Sequence, residues 1–264
     1  MAIIVFDNDD TLVLGTAAIY SKAQVLFHLY LHEIFGPRMV SHLAVNNLYQ
    51  KIDTDAIPDW GTGRGRVAHS MLKVYREVYK WAEKRFDLNF SAEEHRKHSL
   101  KIRELGDLPF DHSQVQWFPE AKNLLEKLMR AGHTLCLLTN YDPREWPKRS
   151  EELGIEKFFA KKHILPVIQK KTAQDFIQVS DWNEKMDKYN LWVAVGNSEI
   201  DVLPPLDISP NWRGIHIPYG SNSSIHSFHS GINLTPTVNH PKVINIQSLK
   251  ELESALDQHL KSAR

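Results

Sequence analysis

The stretch Ile3-Ile4-Val5-Phe6-Asp7-Asn8-Asp9-Asp10-Thr11-Leu12 places an apolar, β-branched run directly before three carboxylates. The apolar run predicts a buried parallel strand, because it is short, continuous and free of polar alternation. The carboxylates then fall at the C-terminal end of the strand, which is where open α/β sheets bind ligands. Three acids at that position repel one another, which is costly unless a cation or a reaction uses them.

The spacing of Asp7 and Asp9 indicates phosphoryl chemistry. Two residues apart, both side chains could face one pocket as the chain leaves the strand. Asp7 could attack a phosphorus atom and carry it as an acyl phosphate. Asp9 could give the leaving oxygen its proton and then take one from water, while Mg²⁺ holds carboxylate and phosphate together. The alternative is an acidic turn that caps the next helix.

Composition excludes several classes of protein. The 264 residues carry 32 basic and 32 acidic side chains and 42% hydrophobic residues, so the chain can bury a full core, as one large domain or one with an insertion. The absence of a long basic tract argues against nucleic acid as an obligate partner. A single cysteine, Cys136, excludes an internal disulfide. With neither a signal-peptide pattern nor an apolar run long enough to span a bilayer, we expect no membrane association and a cytoplasmic protein.

The chain is organised as α/β alternation interrupted by a helical stretch. From about residue 17 to 108 the pattern is mostly helical, with candidate helices at 19–35, 39–52, 67–86 and 91–105. Beyond it, strands are predicted at 134–138, 163–167, 191–195, 214–218 and 243–245. Helices are predicted before, between and after them, at 119–131, 145–153, 172–183 and 248–260. This alternation predicts a parallel sheet with right-handed crossovers.

Three further strand ends carry chemistry. Thr139 and Asn140 offer a hydroxyl and an amide to a phosphate. Lys171, just before a helix, can neutralise a phosphoryl oxygen. The segment Gly196-Asn197-Ser198-Glu199-Ile200-Asp201 supplies Asn197 and Asp201 as oxygen ligands. One Asp-x-Asp-x-Thr is a modest signal, whereas the whole set at strand ends is a strong one.

With these motifs in order, the chain resembles the haloacid dehalogenase (HAD) superfamily. The first motif is matched by residues 7–12, the second by Thr139, the third by Lys171 and the fourth by residues 196–201. The resemblance implies a three-layer Rossmann-like core of order 3-2-1-4-5 with an inserted all-α cap domain. We therefore assign residues 1–15 and 110–264 to the core and 16–109 to the cap.

The same resemblance implies the roles of the site residues. Asp7 would be the nucleophile and Asp9 the general acid/base, with Thr139 and Lys171 completing the catalytic set. The Mg²⁺ ligands would be Asp7, the backbone carbonyl of Asn8 and the fourth motif. The metal-ligating candidates are Asp7, Asp9, Asn197 and Asp201, and the candidate substrate-binding residues are Thr11, Asn140, Arg64 and Arg66.

Two positions depart from the pattern or leave it ambiguous. The fourth motif usually opens Gly-Asp, whereas here it is Gly196-Asn197. An amide is a weaker Mg²⁺ ligand than a carboxylate, so the metal would depend on Asp201 or on water at that position. Lys170 is adjacent to Lys171, and the Thr172 that follows favours Lys171 as the motif lysine.

A glycine-rich segment, residues 59–66, lies between the second and third candidate helices. It lacks both the Gly-Lys-Ser/Thr ending and the upstream strand of a nucleotide-binding P-loop. Its position indicates a substrate-facing loop of the cap, in which Arg64 or Arg66 could meet an anionic substrate. The alternative is a solvated loop.

The function predicted from the sequence is a Mg²⁺-dependent phosphatase acting on a small phosphorylated metabolite. A haloacid dehalogenase needs no metal and lacks the second aspartate, so Asp9 argues against it. A phosphotransferase or mutase would keep every motif. A non-catalytic binding protein is favoured only by Asn197. The sequence leaves the substrate, the acceptor of the phosphoryl group and the oligomeric state open.

Overall fold

The chain divides into two units in the computed structural model. The structure describes residues 1–264 except 15, 38–40, 62, 112, 114, 182–190, 219–236 and 263–264. The sheet unit comprises Met1–Ala17 and Val115–Arg264, and the helical unit comprises Ala18–Gln114. From the sequence, the boundaries are predicted between residues 15 and 16 and between residues 109 and 110. That these units are a core domain and a cap domain stays a prediction.

The strands and helices of the described residues have the following bounds. The strands are β1 (Ile3–Phe6), β2 (Val13–Leu14), β3 (Gln116–Trp117), β4 (Thr134–Asn140), β5 (Ile164–Val167), β6 (Trp192–Gly196), β7 (Trp212–His216) and β8 (Val243–Asn245). The helices are α1 (Thr16–Phe35), α2 (His42–Trp60), α3 (Arg66–Phe86), α4 (Ala92–Asp107), α5 (Ala121–Arg130), α6 (Trp146–Leu153), α7 (Ala173–Val179), α8 (Glu199–Val202) and α9 (Leu252–Ser262). Within the described part of the chain, no helix is long and apolar enough to cross a membrane.

The sheet unit is built on six parallel strands in the order β5-β4-β1-β6-β7-β8. Counted along the chain, β1, β4, β5, β6 and β7 give the predicted order 3-2-1-4-5, which is therefore confirmed. The short strand β8, also predicted, adds a sixth strand beside β7. The α/β class with a Rossmann-like parallel sheet is thus what the structure shows.

The central position of β1 explains its sequence. Ile4 is in register with Leu135 of β4 on one side and with Val193 of β6 on the other. All four side chains of the strand are buried, because helices cover both faces of such a sheet. The ladder continues one residue further, since the Asp7 N–H donates to the carbonyl of Val195 at 2.8 Å. Asp7 is therefore fixed at the very end of a central strand.

A small antiparallel ladder was not predicted from the sequence. It pairs Val13 with Trp117 and Leu14 with Gln116, and the Phe118 N–H donates to the carbonyl of Leu12 at 3.0 Å. Strands of two residues carry no periodic signal, so the sequence could not reveal them. The ladder joins the two chain segments of the sheet unit beside the insertion.

Two predicted elements end or begin elsewhere in the sheet unit. The helix expected at 172–183 ends at Val179, where the Ser180 hydroxyl donates to the carbonyl of Phe176 at 2.6 Å. Asp181 then has a φ of 50°, a left-handed conformation that stops a helix. The strand expected at 214–218 begins at Trp212, whose fully buried ring packs beside Trp192 at a centroid distance of 6.4 Å.

The helical unit packs α1 to α4 around its own apolar core, which includes Phe27, Tyr49, Met71, Tyr75 and Ile102. Helix α4 begins with a capping box formed by Ser91 and Glu94. Trp81 of α3 lies outside this core, since it is 44% exposed. Gly106 of α4 lies against the backbone of Ala68 of α3, where a Cβ atom would overlap it.

Helix α2 differs most from its prediction. The sequence pattern suggested a helix over 39–52, whereas the structure has it at His42–Trp60. The residues after Ile52 are mostly polar, so the sequence pattern did not indicate that the helix continues there. Ala56 is nevertheless buried in this part of the helix. Pro58 is accommodated in the last turn, and the helix ends at Gly61 with a φ of 60°. The glycine-rich loop is consequently shorter than expected.

Candidate active site

Asp7 is buried at the C-terminal end of β1 and is held by two side chains. Its Oδ1 accepts a hydrogen bond from Lys171 Nζ at 2.6 Å, and its Oδ2 accepts one from Thr11 Oγ1 at 2.9 Å. Thr11 is brought back by a tight turn, in which Asp10 has a left-handed φ of 57° and the carbonyl of Asn8 accepts from the Leu12 N–H at 2.9 Å. Predicted as a substrate ligand, Thr11 thus contacts the predicted nucleophile directly.

Lys171 bridges two carboxylates. Its buried Nζ donates to Asp7 Oδ1 and to Asp201 Oδ1, both at 2.6 Å. The structure brings Lys171, and not the exposed Lys170, to this position. Burial raises the pKa of Asp7 from 3.8 to about 7, with Lys171 opposing the rise and Asp201 and Asp9 adding to it. For Lys171, burial alone would lower the pKa, but the attraction of Asp201 and Asp7 outweighs it and raises the pKa.

Asp201 is positioned by the turn that follows β6. Its Oδ2 accepts hydrogen bonds from the Ser198 N–H at 3.0 Å and from the Ser198 hydroxyl, which form a capping box for α8. Gly196 lies so close to the Asp201 side chain that a Cβ atom there would overlap it. The glycine of the fourth motif is therefore required by close packing.

Asn197 occupies the same turn, half-buried. Its backbone carbonyl is 3.1 Å from Nε2 of the buried His216, whose Nδ1 is 2.9 Å from Asn245 Oδ1. Within the described residues, the Asn197 amide makes no hydrogen bond to Asp7, Lys171 or Asp201. The structure thus fixes the backbone of Asn197 and leaves its predicted role as a metal ligand a prediction.

Asp9 lies beside a positive charge that sequence reasoning missed. Its Oδ1 accepts hydrogen bonds from Asn8 Nδ2 at 3.0 Å and from Thr16 Oγ1 at 3.1 Å, and it forms an ion pair with the guanidinium of Arg149. Arg149 is on α6, among charged residues such as Lys148 and Glu151. Nothing in that helical pattern distinguishes it from a surface arginine.

Thr139 and Asn140 stand at the end of β4. Thr139 is fully buried, and its Oγ1 has no hydrogen-bond partner in the described part of the chain. A buried hydroxyl without a partner is costly and indicates a group that a ligand can satisfy. Asn140 differs, because its Nδ2 donates to the carbonyl of Gln169 at 2.6 Å.

The donor set is compatible with Mg²⁺ in its chemistry, since Mg²⁺ prefers hard oxygen ligands and Asp7 and Asp201 supply carboxylates. Among the residues that the structure describes, however, no group of three or more His, Cys, Asp or Glu side chains is arranged as a metal site. The Asn8 carbonyl, predicted as a ligand, instead accepts from the N–H groups of Leu12 and Val13, at 2.9 and 3.1 Å. The turn therefore already uses this oxygen, and its role as a metal ligand stays a prediction.

Arg64 and Arg66 are in the helical unit and differ sharply. The guanidinium of Arg66 forms an ion pair with Asp53, whose Oδ1 also accepts from Ser70 Oγ at 2.9 Å, and the Arg66 side chain is only 10% exposed. Arg64 is exposed, with its guanidinium 5.4 Å from the centroid of the Phe110 ring. The ion pair gives Arg66 a structural task, and substrate binding by either residue stays a prediction.

The chain matches the family model for haloacid dehalogenase-like hydrolases over residues 1–179, about two thirds of its length. It therefore belongs to the haloacid dehalogenase-like hydrolase family. A comparison with curated protein sequences finds no match.

Solved structures of similar fold include members of the same family. A haloacid dehalogenase-like hydrolase from Xanthomonas campestris has a TM-score of 0.70 and 19% identity, covering 100% of this chain and 93% of that one. The HAD hydrolase YfnB of Bacillus subtilis, in a crystal structure bound to magnesium, has a TM-score of 0.52 and 17% identity over 97% and 98%. The L-2-haloacid dehalogenase of Xanthobacter autotrophicus has a TM-score of 0.52 and 12% identity over 97% and 98%. At these identities the likeness concerns the fold.

Proposed function

We propose that this hydrolase is a Mg²⁺-dependent phosphatase that cleaves a small phosphomonoester through an aspartyl-phosphate intermediate. One arrangement carries the proposal: Asp7 is held against the Lys171 ammonium at 2.6 Å, and a second carboxylate, Asp9, follows two residues later. A family member that uses only the nucleophile has no need of the second carboxylate. Two carboxylates in different environments suit a nucleophile and a proton carrier.

The reaction follows from the two carboxylates. An oxygen of Asp7 attacks phosphorus, the bond from phosphorus to the ester oxygen breaks, and Asp9 gives that oxygen its proton. In the second step a water oxygen attacks phosphorus, Asp9 takes the water proton, and the bond from phosphorus to Asp7 breaks. Phosphate leaves and both carboxylates are restored.

Polar groups around Asp7 suit the phosphoryl oxygens. The Lys171 ammonium can neutralise charge that develops on them. The Thr139 hydroxyl, which is buried without a partner, and the Thr11 hydroxyl, 2.9 Å from Asp7, can donate hydrogen bonds. Asn140 has one amide proton committed to Gln169 and contributes through the rest of its amide.

We propose that Asp7 and Asp201 hold Mg²⁺ through their carboxylates, with Asp9 and Asn197 contributing oxygens. The carbonyl of Asp9 accepts no hydrogen bond within the described residues, in contrast to that of Asn8. When bound, Mg²⁺ would supply positive charge that offsets the repulsion between the carboxylates and the phosphate. A location in the cytoplasm and a small-molecule substrate complete the proposal.

A phosphate-release screen over a panel of phosphomonoesters, with Mg²⁺ and with chelator, tests the function. The same preparation is given 2-chloropropionate and assayed for chloride, because dehalogenation is the competing reaction of this family. Metal-dependent phosphate release that is absent from the Asp7→Asn variant supports the proposal. Chloride release without metal, and no phosphate release, would replace it by dehalogenation. Transfer of the phosphoryl group to a second metabolite rather than to water would replace it by a phosphotransferase or mutase.

A further inference from the structure

Arg149 is a buried arginine whose contacts include Asp9, Thr16 and the ring of Tyr141. Its side chain is 1% exposed, and its Nη2 donates to Asp9 Oδ1 and, at 3.2 Å, to Thr16 Oγ1. Its Cζ lies 4.7 Å from the centroid of the Tyr141 ring. A guanidinium taken out of water is costly unless it is paired and hydrogen-bonded, so this placement is specific.

The contacts of Arg149 make the two oxygens of Asp9 unequal. Oδ1 receives three donors, from Arg149, Thr16 and Asn8. Three donors occupy the acceptor capacity of one carboxylate oxygen. Oδ2 accepts no hydrogen bond within the described residues, and the side chain is 22% exposed. The carboxylate is therefore tied down at one oxygen and open at the other.

From this asymmetry, and resting on the proposed function, we infer that Arg149 is a positioning residue that fixes Asp9 so that Oδ2 carries the proton. In the first step the proton on Oδ2 passes to the leaving oxygen as its bond to phosphorus breaks. In the second step Oδ2 takes a proton from the attacking water as the bond from phosphorus to Asp7 breaks. The guanidinium stays charged throughout, because it is a donor only and exchanges no proton.

Removing Arg149 should affect turnover more than substrate binding. Without the guanidinium the Asp9 side chain can rotate, and a misplaced proton carrier costs roughly 10- to 100-fold in rate. Cleavage of p-nitrophenyl phosphate needs little help from an acid, because p-nitrophenolate leaves readily. The hydrolysis step, which needs a base for water, should therefore slow more, and Arg149→Met should accumulate phosphorylated enzyme.

The decisive experiment is a double-mutant cycle on kcat for p-nitrophenyl phosphate with Arg149→Met and Asp9→Asn. If Arg149 acts through Asp9, Arg149→Met lowers kcat about 10-fold or more in the wild type, with KM nearly unchanged, and has no further effect in the Asp9→Asn variant. Arg144→Met is the matched control, because Arg144 is exposed and pairs with Asp142 instead. It should leave kcat within about twofold.

The outcomes separate the inference from the function on which it rests. If the wild-type enzyme releases no phosphate from any phosphomonoester, the proposed function fails. If it is active and the two losses multiply, or Arg149→Met keeps its kcat, the positioning role is overturned. Should Arg149→Met not fold, Arg149→Lys keeps a cation and is expected to retain an intermediate kcat. Arg149→Lys with a wild-type KM and folded spectrum but no measurable kcat loss would also overturn the role.

Discussion

Arg66 in the helical unit and Lys171 in the sheet unit are buried cations that meet carboxylates in different ways. In the helical unit Arg66 pairs with Asp53, and the partners are 13 residues apart on neighbouring helices. In the sheet unit Lys171 lies between Asp7 and Asp201, which are 164 and 30 residues away along the chain. The first is a one-to-one pair between local elements, whereas the second gathers two acids from separate strand ends around a single cation.

The comparison teaches that burial of a charge does not by itself mark a site. A balanced pair such as Arg66 and Asp53 contributes to the fold mainly because each partner would be costly alone. At Lys171 the acids outnumber the cation, and burial raises the pKa of Asp7 to about 7. An excess of like charge that the fold does not relieve is the sign of a site reserved for a ligand.

The largest expected effect is the loss of activity when the predicted nucleophile is replaced. Asp7→Asn should lower kcat by several orders of magnitude while the chain still folds, because an amide cannot form the aspartyl-phosphate. Steady-state phosphate release and mass spectrometry of the trapped phosphoenzyme measure the loss, and circular dichroism checks the fold. Normal turnover by Asp7→Asn would rule out the covalent route.

The next largest effect should be a loss of stability when the Arg66–Asp53 ion pair of the helical unit is broken. Arg66→Ala leaves the largely buried Asp53 without its partner and should lower the free energy of unfolding by about 3 kcal/mol. Arg64→Ala is the matched control, because Arg64 is exposed, and should change it by no more than about 0.5 kcal/mol. Chemical denaturation followed by helical circular dichroism compares them. Equal small changes would mean that the Arg66 ion pair contributes nothing to the fold.

The Arg64→Ala variant also tests whether Arg64 binds the substrate. If Arg64 binds the remote part of the substrate, Arg64→Ala should raise KM for the natural substrate and hardly affect p-nitrophenyl phosphate.

A pH effect on stability should follow from Asp7 in metal-free protein. Its pKa is raised from 3.8 to about 7 by burial, so between these values the folded chain keeps a proton that the unfolded chain releases. The corresponding stability is fully present below about pH 4 and is lost as the pH rises through about 7. Thermal melting in chelator from pH 5 to 8 should therefore show a steeper fall for wild type than for Asp7→Asn. Parallel curves would contradict the raised pKa.

The smallest effect concerns the fourth motif. Asn197→Asp should tighten Mg²⁺ binding, by roughly tenfold, because it adds a charged oxygen ligand. Calorimetric titration with Mg²⁺ measures the affinity directly, and Asn211→Asp, at an exposed position, controls for the added charge. An unchanged affinity would show that Asn197 is not near the metal and that Asp201 supplies that end of the site.

Much of the fold was predictable because its signals are local. The buried run Ile3–Phe6, the carboxylates after it and the alternating strands predicted a parallel sheet, and the resemblance to the family implied its strand order. Boundaries were less predictable where burial overrides composition, as in the extension of α2 past Ile52. The two-residue ladder of β2 and β3 had no periodicity to detect.

By itself the sequence determined the sheet, the family and the set of polar residues at strand ends, because periodicity and motif spacing are properties of the chain. Only the tertiary structure decided which of them meet. Lys171 rather than Lys170 reaches Asp7, and the Asn8 carbonyl accepts hydrogen bonds within a turn. It also decided that Arg66 is tied to Asp53 and that Arg149, inconspicuous on an amphipathic helix, is buried against Asp9. The physical reason is that a charge acquires its function from the partners that folding brings to it from distant parts of the chain.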